Sequence, residues 1–271
     1  MQHLSKKQKL FLPEHKPHDY SIIPLHVLYC ENRPRSIFTY LIDPCETFTV
    51  HAGAFFVSGV DGHNILIDSG PTKEDFLKVV GACTEINPMA EVLKEKTGLD
   101  PDDIDLILLT HVHHDHCANI KEFKNAKVVV QKDEYDALLN PPEVYKGSFV
   151  SEHLDDADIV IVDGDLLDFL PGIHLLYTPG HTPGGQSIVI DSDEGRIIVC
   201  SLCCDEANFC PREDLKNEWS AILIPGLLVN SQDAYESTRR IKDKADYIIT
   251  LHDERSFSRG ACPGKNWPRY S

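Results

Sequence analysis

Four histidines and an aspartate fall within six residues, at His111, His113, His114, Asp115 and His116, directly after an apolar run at 104–109 broken by one acid, Asp105. The run has the length and branching of a buried strand. A core strand cannot end in a crowd of imidazoles unless something satisfies them. Each neutral ring carries one donor and one acceptor, and a buried, unpaired polar group costs roughly 1–3 kcal/mol. A divalent metal takes up such lone pairs at once. His111 and His113, two apart, can point the same way from an extended segment. Asp115 and His116 follow on the turn, where they could serve a second ion beside the first. The competing reading, an exposed His-rich loop, is disfavoured by the acid and by the strand end. The stretch reads as half of a metal site, with His114 pointing away from it.

The remaining ligands must come from distant loops, and three residues share one context, a position shortly after an apolar strand. His181 lies in Tyr177-Thr178-Pro179-Gly180-His181-Thr182-Pro183-Gly184-Gly185, where two Pro-Gly pairs make a stiff loop that lets backbone approach closely. Asp205 follows the run 197–202, and His252 follows 248–251. A lone histidine at a strand end is ordinarily a surface or core residue. Together, and in this order after the first motif, the three complete two four-ligand shells sharing a carboxylate. The other candidates read as structural. Cys200-x-x-Cys203-Cys204 lacks a second CxxC, so ordinary buried cysteine is favoured over a redox or zinc site. Cys117 reads as packing, His153 as surface more than pocket, and the acidic 155–158 as a solvated loop. Gly184-Gly185 lacks the spacing of a phosphate loop.

The elements that must position these residues follow from pattern. Residues 1–20 are polar and Pro/His-rich, a surface arm. Strands are expected at 22–28 and 37–42, with loops at 30–35 and 43–51, and a hairpin pairs 54–57 with 64–68 around Asp61-Gly62. Asp68 closes that hairpin with an acid. Thr72 reads as the N-cap of a helix through Val80, with Glu74 and Asp75 in its first turn. A second helix spans 88–96 and is closed by Gly98. A strand at 127–131 and a helix at 133–139 come next, then short strands at 159–162, 173–177, 187–190 and 196–200. An amphipathic helix spans 231–244, and the last strand, 247–251, delivers His252. The reading is α/β, one domain over 21–271 after the arm.

Composition bounds the function. The chain has 271 residues, 42% hydrophobic and 25% charged, as in a globular protein able to bury its own core. A net charge of −17 argues against nucleic acid as a partner, because phosphate neutralisation needs clustered Lys and Arg. It leaves room for a small-molecule substrate, since a dinuclear metal site carries its own positive charge. No run approaches the ~18 apolar residues of a membrane span. The basic start, residues 1–9, lacks the apolar core of a secretory signal, and nine cysteines fall without scaffold spacing. A cytoplasmic protein with reduced thiols is expected.

The ordered string His111-x-His113-x-Asp115-His116, Thr178-Pro179-Gly180-His181-Thr182-Pro183-Gly184, Asp205 and His252, preceded by Ile67-Asp68-Ser69-Gly70, resembles the metallo-β-lactamase-fold hydrolases. Within them the chain is most similar to the N-acyl-homoserine lactonases that quench quorum signals, also through Val129-Val130-Gln131-Lys132-Asp133-Glu134-Tyr135 and Pro171-Gly172-Ile173-His174-Leu175-Leu176-Tyr177-Thr178. The resemblance implies a four-layer αβ/βα sandwich with metals at one edge of two packed sheets. One ion would take His111, His113 and His181, and the other Asp115, His116 and His252. Asp205 would bridge them, and Asp68 would hold the His-bearing loop by hydrogen bonds. The ions would be zinc, with iron or manganese also compatible.

The implied activity is opening of a lactone or related ester by metal-bridged hydroxide, with Asp115 orienting the nucleophile. Lactonases of this kind carry a tyrosine three residues after the bridging aspartate, aimed at the substrate carbonyl. This chain has Asn208 there, whose amide would be the oxyanion donor, and the irregular 203–225 would shape a different pocket. Thioester hydrolysis of the glyoxalase II kind, single-iron chemistry of the persulfide dioxygenase kind and a non-catalytic metal-binding module are the alternatives.

Overall fold

A computed structural model describes residues 10–215 and 221–270. Seven strands form the first sheet: β1 (Ser21–Pro34), β2 (Thr47–Ser58), β3 (Ile65–Ile67), β4 (Thr84–Glu85), β5 (Leu106–Leu108), β6 (Lys127–Gln131) and β7 (Asp158–Val162), in the spatial order β4-β1-β2-β3-β5-β6-β7. Five form the second: β8 (Leu166–Leu170), β9 (Ile173–Tyr177), β10 (Gln186–Ser192), β11 (Gly195–Val199) and β12 (Tyr247–Ile249), ordered β12-β11-β10-β9-β8. Among the described residues seven α-helices accompany them: α1 (Lys73–Val80), α2 (Met89–Thr97), α3 (His114–Cys117), α4 (Lys132–Leu139), α5 (Glu206–Phe209), α6 (Ser231–Lys242) and α7 (Glu254–Ser258).

The layering follows from the pleat, which sends alternate side chains to opposite faces. Leu106, Leu108 and Val129 face the second sheet, where they meet Ile188, Ile190, Ile197 and Val199. Their neighbours Ile107, Val128 and Val130 face the other way, onto Phe76 of α1, Val92 and Leu93 of α2 and Leu138 of α4. On the second sheet Val189, Ile198 and Ile248 turn outward onto Ile241 of α6. Strands apolar on both faces must be covered on both faces, and the result is helix, sheet, sheet, helix, the expected four-layer αβ/βα sandwich. Burying one such aliphatic side chain contributes about 1.5–3 kcal/mol.

Several local expectations hold. Gly62 turns the β2–β3 hairpin at φ 72°, with Phe55 opposite Ile67 and Val57 opposite Ile65. Thr72 accepts the Asp75 amide at 3.2 Å to cap α1. Other expectations fail for physical reasons. Residues 37–42 are not a strand: Phe38 is buried, but Leu41 is 75% exposed and has positive φ, as does Asp43. The polar 30–35 mostly belongs to β1, which runs to Pro34 by pairing with an equally extended β2, so 47–51 is strand and not loop. Strand β8 had no sequence expectation. The described part of the arm is fastened, with the Leu10 amide donating to Asp165 at 2.7 Å and His15 Nε2 to the Ser192 carbonyl at 2.7 Å; residues 1–9 lie outside the described residues. All nine cysteines are unpaired. Among the described residues no helix is long and apolar enough to cross a membrane.

Candidate metal centre

β3 and β5 run parallel, as do β11 and β12, so their carboxyl ends emerge together, as ligand-bearing strand ends do in α/β folds. β3 leads to Asp68, β5 to His111 and α3, β9 to the His181 loop, β11 to Asp205 and β12 to His252. Six of these side chains meet as two groups, His111–His113–His181 and Asp115–His116–His252, each with its potential ligand atoms within 4.8 Å of one another. In the first group the three ring centroids form a triangle of 4.8 Å sides with nearly perpendicular planes, 79° to 89°. In the second, Asp115 Oδ2 stands 3.6 Å from His116 Nε2 and 3.7 Å from His252 Nε2. The His111 and His116 rings, 4.0 Å apart, join the groups.

Four of the five rings are held from behind. His116 Nδ1 donates to Asp68 at 2.8 Å, His181 Nδ1 to the Leu227 carbonyl at 2.8 Å and His252 Nδ1 to the His51 carbonyl at 3.0 Å. His111 Nδ1 lies 3.0 Å from Thr110 Oγ1, which itself donates to Asp68 at 2.8 Å. Asp68 also accepts the Thr110 amide at 2.7 Å and has φ 60°, a strained position for an aspartate that aims its carboxylate at two ligand-bearing segments. Fixing Nδ1 as the protonated nitrogen leaves Nε2 as a lone pair facing inward. Nε2 of His111, His113 and His116 is buried without a hydrogen-bond partner. Three orphaned acceptors converging beside a carboxylate fit divalent metal ions.

The electrostatics agree. Burial, reinforced by neighbouring imidazoles, holds His111 and His113 well below the usual histidine value, and burial brings His181 to about 4. His252 is lowered by burial as well. These rings are neutral at pH 7, as coordination requires. His116 goes the other way: burial opposes its charge, but the Asp115 and Asp68 carboxylates outweigh it and raise the pKa. For Asp115 burial is outweighed by the His116, His114 and His252 rings, which hold it well below the carboxylate range.

Asp205 enters neither group. Its Oδ1 accepts the Ala207 amide at 2.9 Å, capping α5, and its Oδ2 lies 2.5 Å from the Arg35 guanidinium. That contact is off-axis, so Oδ2, fully buried, has no directed hydrogen bond. Burial raises the Asp205 pKa against the pull of Arg35.

Asn208 requires a correction. It is fully buried, its amide nitrogen donates to the Phe38 carbonyl at 2.8 Å and the Leu223 carbonyl at 3.0 Å, and its oxygen accepts the Asp205 amide at 2.9 Å. With donors and acceptor committed, it cannot serve an oxyanion; it bolts the segment after Arg35 to the Asp205 loop. His114 belongs to neither ligand group, as expected, but it still lines the central cavity and packs edge-on against Phe76 at 5.7 Å. His153 is buried rather than on the surface, 3.1 Å from Asp75. Of the irregular 203–225, Cys203 lines the cavity, and residues 216–220 lie outside the described residues.

Sequence reasoning missed Glu134. Its fully buried carboxylate accepts the Val112 amide at 3.0 Å and the Gly184 amide at 2.9 Å, clamping the loop of His111 and His113 to that of His181. The available signal was an acid on the apolar face of α4, in step with Ala137 and Leu138. The loops are so close that a Cβ on Gly184 would stand 2.1 Å from the Glu134 amide nitrogen.

The ligand groups open into a cavity of about 240 Å³ with apolar walls from Ile37, Phe38, Val50, Phe76, Val80 and Leu227. Compared with known families, the sequence matches the model of the metallo-beta-lactamase superfamily over residues 51–201, more than half of the chain. The chain belongs to the metallo-β-lactamase superfamily. Within the superfamily it is 30% identical to an N-acyl homoserine lactonase of Bacillus thuringiensis over 166 residues, 61% of this chain and 60% of that protein. It is also 30% identical to an N-acyl homoserine lactonase of a Bacillus sp. over 196 residues, 71% of each. The chain thus spans about 60% of the first relative's length. A solved structure of AidC, a dizinc quorum-quenching lactonase, shares the fold with TM-score 0.66 at 18% identity, covering 97% of both chains. The superfamily match includes His111 to His181 but stops before Asp205 and His252, so geometry alone brings His252 to the site.

Proposed function

We propose that the chain is a dinuclear metal-dependent hydrolase that opens lactones, with N-acyl homoserine lactones, named by its curated relatives, as the first class to test. The observation that carries this reading is the pair of adjoining ligand groups in which Nε2 of His111, His113 and His116 is buried without a partner while Nδ1 of His111, His116, His181 and His252 is tethered. His111, His113 and His181 would hold one ion and Asp115, His116 and His252 the other, with Asp205 as the carboxylate they would share. Imidazole with carboxylate suits zinc, and also iron or manganese. When bound, such ions lower the pKa of water towards about 7 and polarise a carbonyl.

The protein's own part is positioning. Asp115 is the most exposed of the six grouped side chains at 14% and stays ionised, so it accepts a hydrogen bond from water and turns an oxygen lone pair towards the ester carbon. In the net reaction the acyl carbon gains a hydroxyl, the acyl C–O bond breaks and the ring oxygen takes a proton. The apolar walls exclude bulk water, which strengthens these interactions. Elemental analysis should find close to two equivalents of metal, and a panel of lactone, thioester and β-lactam substrates should show lactone opening that chelation abolishes and zinc restores. Asp205→Asn should lower the affinity for at least one ion and collapse turnover. One equivalent of metal with no lactone opening by the loaded protein would overturn the reading.

A further inference from the structure

The central cavity contains a charge that the metal centre does not use. Among the described residues, its permanently charged lining side chains are Arg33 and Asp115, and Asp115 belongs to the second ligand group. The Arg33 guanidinium has no carboxylate or hydrogen-bonding partner among the described residues. In a chain of net charge −17 a cation without a partner beside apolar walls is conspicuous, because acids are abundant enough to neutralise it. Its neighbour Arg35 makes the contrast: two residues on, it is matched by Asp205 at 2.5 Å.

The backbone is deformed where Arg33 departs from it. The β1–β2 register slips between Cys30 and Arg33, and Asn32 has φ 56°, left-handed for a non-glycine residue. Bulges beside active sites commonly re-aim a side chain, and this one lies immediately before the cationic residue that lines the cavity.

We propose that Arg33 is a specificity residue that binds a carboxylate carried by the substrate away from the scissile carbonyl, so that the preferred substrates are anionic lactones or esters. The inference rests on the hydrolase reading for its chemistry, but its binding component can be tested separately. The half-buried guanidinium beside apolar walls can make a charge-assisted, bidentate hydrogen bond with a carboxylate. The cavity, about 240 Å³, suits a compact acyl group bearing the charge.

Two measurements with the full-length zinc-loaded protein test this. The first compares kcat/KM for a homoserine lactone whose acyl chain ends in a carboxylate with that for its neutral amide-ended twin of equal length. Wild type should favour the carboxylate about ten-fold or more, mainly through KM, and the ratio should fall towards one in Arg33→Met and below one in Arg33→Glu. The second measures the calorimetric Kd of glutaramate and of neutral glutaramide, neither of which is a lactone. Glutaramate should bind wild type about ten-fold tighter, and Arg33→Met should remove the difference.

Equal affinities in wild type would overturn the proposal. So would a carboxylate preference that survives in Arg33→Met, since the metals and not the arginine would then be binding the anion. A glutaramate preference that depends on Arg33, in a protein that opens no lactone, would sink the hydrolase reading and leave this one standing. Lactone opening with no dependence of the substrate ratio on Arg33 would do the reverse.

Discussion

The two ligand groups are built on different electrostatic plans. His111, His113 and His181 form an uncharged triangle, its rings pushed towards neutrality by burial. Asp115, His116 and His252 include an acid, and Asp68 stands directly behind His116. A first cation therefore meets three ready lone pairs on one side, and a site carrying negative charge on the other. The second plan offers more attraction and depends more on its hydrogen-bonded support. Asp205, held by its Arg35 counter-charge, stands outside both groups.

The largest effect should come from deleting one ligand in each group. His113→Ala and His116→Ala should each reduce metal content from about two equivalents to about one and slow lactone opening by about a thousand-fold or more, because metal stabilisation is worth several kcal/mol. If either variant kept wild-type turnover, its ion would be structural and the comparison would collapse. Asp68→Asn sharpens the contrast. It should cost about 10–100-fold in metal affinity, chiefly in the second group where Asp68 meets His116 directly, as competition titration with a chromophoric chelator would show. An equal loss at both groups would mean that the relay through Thr110 matters as much.

Asn208→Ala comes next, now as a question of stability. Removing an amide that satisfies two carbonyls and one backbone N–H should lower stability by about 1–3 kcal/mol in urea denaturation. Unchanged stability with a selective loss of kcat would restore the oxyanion role. The smallest effect is on pH. His181 sits at about 4 through burial, and so does His26, through burial and the adjacent His51. Unfolded, both titrate near about 6.5. Between these values the unfolded chain binds more protons, so their contribution to stability is complete above about pH 6.5 and is lost as pH falls towards 4. His116, raised in the folded state, works oppositely: its contribution is full below about 6.5 and fades as pH rises through its folded value. Lowered rings outnumber it, so the metal-free protein should melt at a lower temperature at pH 5 than at pH 7.5. An equal or higher melting point at pH 5 would contradict this balance.

The parts that were legible in the sequence are those where one residue type has one physical use. An apolar strand ending in His111-x-His113-x-Asp115-His116 permits few satisfied structures, and Thr72 ahead of two acids is an N-cap in any context. The illegible parts were decided by partners far along the chain. Polar residues 30–35 became strand because β2 offered matching backbone, and 37–42 lost its strand because Asn208, 170 residues away, takes the Phe38 carbonyl. Glu134 lies in step with Ala137 and Leu138, but the two loops that its carboxylate joins come from residues 112 and 184, which the helix pattern does not reveal.

The Glu134 clamp divides the cavity into parts with separate histories open to them. Its carboxylate joins the loops bearing His111, His113 and His181 into one rigid floor, and the bare Gly184 leaves no room for drift there. The wall from Arg33 to Phe38 hangs on a different part of the chain and takes no part in that clamp. Arg35 and Phe38 tie that wall to the Asp205 loop, but Arg33 meets neither the clamp nor Asp205, so under the proposed function a substitution there would retune which molecules enter while the floor stays as it is.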